Sequence, residues 1–191
     1  MTASSDESLK LSYSLHGLQQ ATLRLDSAHW HRGEDAFIAA AEAVSWVATL
    51  DRLLETRGSQ YKGLRGESND GKSVIGMRFV RNHIHHETTM LDFVRLQSVV
   101  GSSVSGFRAG WLWAPLDDLE PHLGPEHSSG KGLYSSHLDG RLVLHTLLDA
   151  NRWFLSVKPP IPPLPPDPTG AHREQFSLPE RWPPVDGDRR E

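Results

Sequence analysis

A chain of 191 residues, 37% apolar and 23% charged, is long enough to bury a core of its own. Its formal net charge of −4 excludes a broad cationic coat for nucleic acid, although local basic stripes remain open. The absence of cysteine excludes disulfides and thiolate chemistry, and suits a reducing compartment.

No apolar run approaches the roughly eighteen residues a membrane span needs. Residues 1–10 are polar and acidic, so no leader is expected and the cytoplasm is the expected location. The first helix is expected over about 8–29, where Leu11, Leu15, Leu18 and Leu25 recur at helical spacing with Thr22 in the missing step. After Gly33, a second helix should run from Glu34 to Arg57 on a stripe of Phe37, Ala40, Val44, Val47, Leu50 and Leu54. Residues 59–71, rich in glycine and polar side chains, read as a loop. A third helix is predicted over about 72–96, with Val74, Met77, Ile84, Leu91 and Val94 on one face.

Residues 97–132 break the helical period. Trp111-Leu112-Trp113 alternates within them, and predicts an irregular or short-β insert. The two tryptophans would share one side of a strand, where capping the core is favoured over stacking bases. A fourth helix is expected over 134–154, carrying Leu138, Leu142, His145 and Leu148, with Gly140 as its weak point. Residues 1–157 are thus expected to form an all-α antiparallel four-helix bundle, and the proline-rich residues 158–191 an extended or disordered tail.

The third helix carries the densest chemistry. Of 11 histidines, three fall in Arg81-Asn82-His83-Ile84-His85-His86. On a wheel of about 100° per residue, Arg78, Arg81, Asn82, His85 and His86 share one sector beside the core face, while His83 and Glu87 fall on the other flank. Guanidiniums in such a stripe match phosphate oxygens, and imidazoles exchange protons near neutral pH. A solvated or core-edge role is the plain alternative, with Arg81 paired to an acid such as Glu42 or Asp51. A metal site is a third, through His83 with Glu87 or Asn82 with His86, completed by His29, His31, His137 or His145. No H-E-x-x-H signature supports it.

Arg81, Asn82 and His86 resemble the R-N-x-x-x-H signature of the HEPN superfamily, at the shortest of its spacings and in the third helix of a bundle. The wider pattern, with a tryptophan-bearing insert before a final helix containing Leu138-Asp139-Gly140, is similar to HEPN-like proteins of actinobacteria. The resemblance implies a metal-independent endoribonuclease, a toxin or defence effector, that needs no cofactor. It attacks phosphate through the ribose 2′-hydroxyl and works as a homodimer sharing one cleft. Arg81 would hold the scissile phosphate, His86 would serve as general base or acid, and Asn82 would orient the imidazole or bind phosphate. Arg78 and His85 would add phosphate contacts or a second proton-transfer group. Glu42 would be the acid facing the motif from an earlier helix, with Asp51 as the other candidate. RNA is the implied substrate and an antitoxin or other regulator an implied partner; no membrane or DNA is expected. Thr88 stands where nucleotidyltransferase-paired toxins carry a tyrosine, so control through that tyrosine is not implied. A non-catalytic nucleotide- or RNA-binding or dimerisation module, and a metal-dependent bundle hydrolase, remain the alternatives.

Overall fold

The computed structural model describes residues 5–28, 33–84, 90–100, 103–119 and 130–165, with only the backbone course given for 92–100 and 103–109. The chain is mostly helical. In order it forms α1 (Ser5–Ser27), α2 (Gly33–Glu55), α3 (Ser59–Glu67), α4 (Asn69–His83), β1 (Leu91–Val100), β2 (Ser103–Trp113), α5 (Leu116–Leu119), α6 (Lys131–His137) and α7 (Val143–Ser156). No described helix is long and apolar enough to cross a membrane.

The leucine stripe of α1 and the Ala-Val-Leu stripe of α2 bury as their spacing requires. Leu11, Leu18, Ala40, Val44, Val47 and Leu50 are fully buried, and meet Val74, Met77 and Val80 of α4 and Leu147 and Phe154 of α7 in one core. Each of the larger of these side chains, leucine, valine, methionine or phenylalanine, contributes about 1.5–3 kcal/mol over its exposed state. Thr22 is polar yet buried within this stripe because its hydroxyl is satisfied twice: it donates to the Leu18 carbonyl at 2.8 Å and accepts from Asn151 Nδ2 of α7 at 3.1 Å.

The structure departs from the sequence expectations in four places. Residues 59–67 are helical despite their glycines, because Tyr61 and Arg65, one turn apart, are both drawn onto a buried acid of α2. Tertiary contact overrides local propensity here. The helix expected to reach residue 96 ends at His83. From Leu91 the chain instead pairs antiparallel with β2, Leu91 opposite Trp113 and Val94 opposite Gly110. Leu91 and Val94 fit a helical spacing from Ile84, but they also open a strand rich in β-branched residues, and pairing decides between the two.

The insert is therefore a hairpin that starts earlier and runs longer than expected. It is rooted in the core by Trp113, fully buried, whose indole donates to Thr146 Oγ1 at 2.8 Å. Trp111 packs partly buried against the core, so both tryptophans lie at the hairpin base. The expected fourth helix is broken into α6 and α7. Gly140 takes φ 65°, which an L side chain rarely adopts, and its N–H bonds to the Trp113 carbonyl at 3.1 Å. The Arg141 carbonyl accepts from Trp113 N–H at 3.0 Å, so the break serves as a short strand-like brace for β2.

After Val157 the chain is extended, and residues 158–165 lie back on the helices. Ser12 Oγ donates to the Pro162 carbonyl at 2.8 Å and Ile161 packs against the core. The rest of the proline-rich stretch, 166–191, lies outside the described residues.

α3 and α4 meet at a tight elbow. A Cβ at Gly71 would lie 2.3 Å from the Arg65 carbonyl oxygen, a backbone atom that cannot turn aside. Gly71→Ala is expected to cost about 1–3 kcal/mol by overpacking, read as a lower urea midpoint at unchanged slope.

Candidate functional site: the end of α4

α4 begins at an N-cap, Ser68, whose hydroxyl accepts from the Gly71 N–H at 3.5 Å. Its buried face carries Val74, Met77, Phe79, Val80 and His83. Arg81 and Asn82 are exposed, and Arg78 is half-buried. The two arginines have different fates.

Arg78 is tied down. Its Nη1 donates to Asp51 Oδ2 at 3.0 Å and to Glu55 Oε1 at 2.9 Å, both on α2. Asp51 has no exposure at all. It also accepts from Arg65 Nη1 and, at 2.7 Å, from the Tyr61 hydroxyl. Arg65 reaches Glu55 at 2.8 Å, and Trp153 Nε1 of α7 donates to the Tyr61 oxygen at 3.4 Å. Two guanidiniums and two carboxylates thus balance in charge within a network that joins α2, α3 and α4. Burial and the Asp51 charge push the Tyr61 phenol far above its ordinary value, so it stays a neutral donor.

Burial pushes the Glu55 carboxyl up, but the Arg65 hydrogen bond and the charges of Arg78 and Arg65 outweigh it and hold the group below the usual carboxylate range. A carboxylate depressed in the folded state contributes stability that is fully present above its unfolded value. That stability is lost as pH falls through the folded value. Glu55→Gln is therefore expected to flatten the acid limb of a stability–pH curve below about pH 4.5.

Arg81 sits in the last turn, exposed, and among the described residues no carboxylate pairs with it. Its Nη1 lies 3.4 Å from Oδ1 of Asn82, which is exposed beside it. The pair offers a guanidinium and an amide, a fork of donors with one acceptor, on the solvent side of the helix end. His83 faces inward. It is 6% exposed and its ring lies 4.5 Å from that of Phe79, which packs in turn on Tyr134 of α6 at 5.2 Å. Ile84 closes the helix with its N–H on the Val80 carbonyl. His85 and His86 lie outside the described residues.

Glu42 does not meet α4. Its carboxylate accepts from Arg24 of α1 and, at 3.2 Å, from Trp46 Nε1. The acids that reach the motif helix from α2 are Asp51 and Glu55, with Arg65 and Tyr61 as the further members that the sequence did not single out. One signal was present: Asp51 lies seven residues after Val44, four after Val47 and three before Leu54, so it interrupts the apolar stripe and must be met by a buried donor. Among the described residues, no three His, Asp or Glu side chains converge as a metal centre.

No family model matches the chain, and no solved structure matches it. The chain is 28% identical over 127 residues to a tRNA pseudouridine synthase A of Polaromonas sp., an alignment that covers 64% of this chain and 38% of that protein. The chain therefore spans well under half the length of that relative.

Proposed function

We propose that this chain is a HEPN-like endoribonuclease of the cytoplasm that cleaves RNA without a metal, acting as a toxin or defence effector. In this reading α1, α2, α4 and α7 are the four helices of an antiparallel bundle. The observation that carries it is the division of labour on α4: Arg78 is consumed by Asp51 and Glu55, while Arg81 stands exposed beside Asn82. A guanidinium that already has its carboxylates binds a phosphate poorly, whereas an exposed one has its fork of donors to offer.

Arg81 then holds the scissile phosphate and stabilises the charge that gathers on its oxygens as the 2′-hydroxyl attacks. His86, five residues on, takes the hydroxyl proton or returns one to the leaving 5′ oxygen. A single imidazole cannot hold both protonation states at once, so a second group, His85 or the His86 of a second copy, completes the pair. Asn82 orients the phosphate. The named substrate class of the relative, tRNA, supports RNA as the target.

The test is incubation of structured and single-stranded RNA with the protein in excess EDTA. Cleavage that persists in chelator and vanishes in both Arg81→Ala and His86→Ala is the expected result. Binding without cleavage would leave a non-catalytic RNA-binding module, and loss of activity on chelation would point to metal chemistry instead.

A further inference from the structure

α6 runs antiparallel along α4 at close range. A Cβ at Gly76 would lie 3.2 Å from the Leu133 carbonyl oxygen and 3.1 Å from Leu138 Cδ1, and one at Gly130 would lie 3.2 Å from Phe79 Cβ. Lys72 is one turn before Gly76 and His137 is next to Leu138, so the two half-buried side chains are neighbours where this seam ends. Arg141 joins them from the turn after α6. Its N–H donates to the Leu138 carbonyl at 2.8 Å and its carbonyl accepts from the Trp113 N–H at 3.0 Å, so its backbone is pinned on both sides.

Three basic groups are thus gathered on fixed backbone. Burial first, then Arg141, then Lys72 hold the His137 imidazole below its ordinary value, so the charges that act on it are both cations. The acids nearest in sequence are turned elsewhere. Asp139 accepts from the Leu116 N–H at 3.1 Å, and Asp70 lies about 200° round α4 from Lys72. Among the described residues no carboxylate pairs with Lys72, His137 or Arg141. α7 starts two residues beyond Arg141 with no acid in its first turn, and its dipole adds to the same positive field. Like charges held together repel, and an anion set between them removes that cost. Lys72 brings a mobile ammonium and Arg141 a fork of donors that matches two phosphate oxygens.

With RNA as the substrate, the anion that fits is a backbone phosphate. Asn82, beside Arg81, and Lys72 are ten residues apart, about 15 Å along α4 and about 80° round it, so both border one outer side of the helix. A strand with one phosphate held at Arg81 can therefore follow α4 and lay another on the seam. We infer that Lys72, His137 and Arg141 form a second phosphate-binding subsite, which holds the RNA backbone away from the bond that is cut. This rests on the proposal that RNA is the substrate, but not on where or whether it is cut. A phosphate there favours the imidazolium, so binding takes up a proton at His137 and tightens as pH falls through the histidine range.

The probe is a labelled RNA with methylated 2′-hydroxyls, which is bound but not cut. Lys72→Ala and Arg141→Ala are each expected to weaken its binding several-fold at low salt. Each should also lower the slope of log affinity against log salt by roughly 0.7–0.9. Lys62→Ala removes the same charge from an exposed position on α3 and should change neither quantity. In proton NMR, His137 of wild type should titrate at a higher pH once the RNA is added, and His137→Gln should lose that share of the pH dependence of binding. Inorganic phosphate is the second arm. If phosphate shifts His137 while Lys72→Ala and Arg141→Ala bind RNA as wild type does, the seam takes free phosphate and the RNA assignment is overturned. If neither ligand moves His137, or Lys62→Ala weakens binding as much as the seam variants, the subsite itself is overturned. RNA bound through the seam but never cut in its unmodified form would contradict the proposed cleavage and support the subsite.

Discussion

Asp51→Ala is expected to cost the fold about 3–5 kcal/mol, a drop in melting temperature of roughly 6–20 °C for a chain of this size. The size of the effect follows from where each partner sits. Asp51 is fully buried and receives Arg65, Arg78 and Tyr61 together. Removing its carboxylate leaves Arg65, whose side chain is 10% exposed, with Glu55 as its remaining anion. It also leaves the Tyr61 hydroxyl without its acceptor. Arg78, at 43% exposure, can turn to water and contributes little of the loss. Arg78→Ala should therefore cost far less than Asp51→Ala, and Tyr61→Phe about 1–2 kcal/mol. Urea denaturation of the three variants ranks them. An Asp51→Ala midpoint close to wild type would show that water replaces the carboxylate and that the network does not hold α3 and α4 to α2.

On the proposed reading, Arg81→Ala and His86→Ala are each expected to lower RNA cleavage by about 10²–10⁴-fold, Arg81→Ala with little change in stability. Arg81 is exposed and joined only to Asn82 among the described residues, so its removal strands no buried group. The double variant should be hardly worse than either single one, because groups that act as a unit on one transition state do not contribute additively. His83→Ala gives the opposite pattern. That ring is buried against Phe79, so its loss should cost about 1–3 kcal/mol of stability while cleavage at permissive temperature is retained. Melting temperature and single-turnover cleavage, measured on the same preparations, separate the two patterns.

The stripes of α1 and α2 were legible because one period explains them: Leu11, Leu15 and Leu18, then Val44, Val47, Leu50 and Leu54, all bury as spaced. The chain after Ile84 was ambiguous because Leu91 and Val94 continue the helical spacing while Leu91-Asp92-Phe93 and Val94-Arg95-Leu96 each alternate apolar with charged residues as a strand does, and only the pairing with residues 103–113 decides it. α3 was hidden because its reason for being helical lies on α2, in Asp51, rather than in its own glycine-bearing sequence.

On α4 the wheel put Arg78, Arg81 and Asn82 in one sector and His83 on the other flank; Arg81 and Asn82 are exposed, Arg78 is half-buried and His83 is buried. The wheel could not show that Arg78 is occupied. The choice of Glu42 as the facing acid has a simple physical cause. Glu42 and Asp51 are nine residues apart, about 180° around α2, so just one of them can face α4. Which one depends on whether α1 or α4 lies on a given side, and that is a property of the packing. Arg24 of α1 takes Glu42, and the α3–α4 elbow takes Asp51.

The most direct measurement is the cleavage of a 5′-labelled RNA in excess EDTA by wild type, Arg81→Ala and His86→Ala, beside the same RNA with its 2′-hydroxyls methylated. The account predicts chelator-resistant cuts by wild type alone, ending in 2′,3′-cyclic phosphate, and none in the methylated strand. Cleavage retained by both variants, or equal cleavage of the methylated strand, would contradict the assignment of the α4 end as the site where RNA is cut.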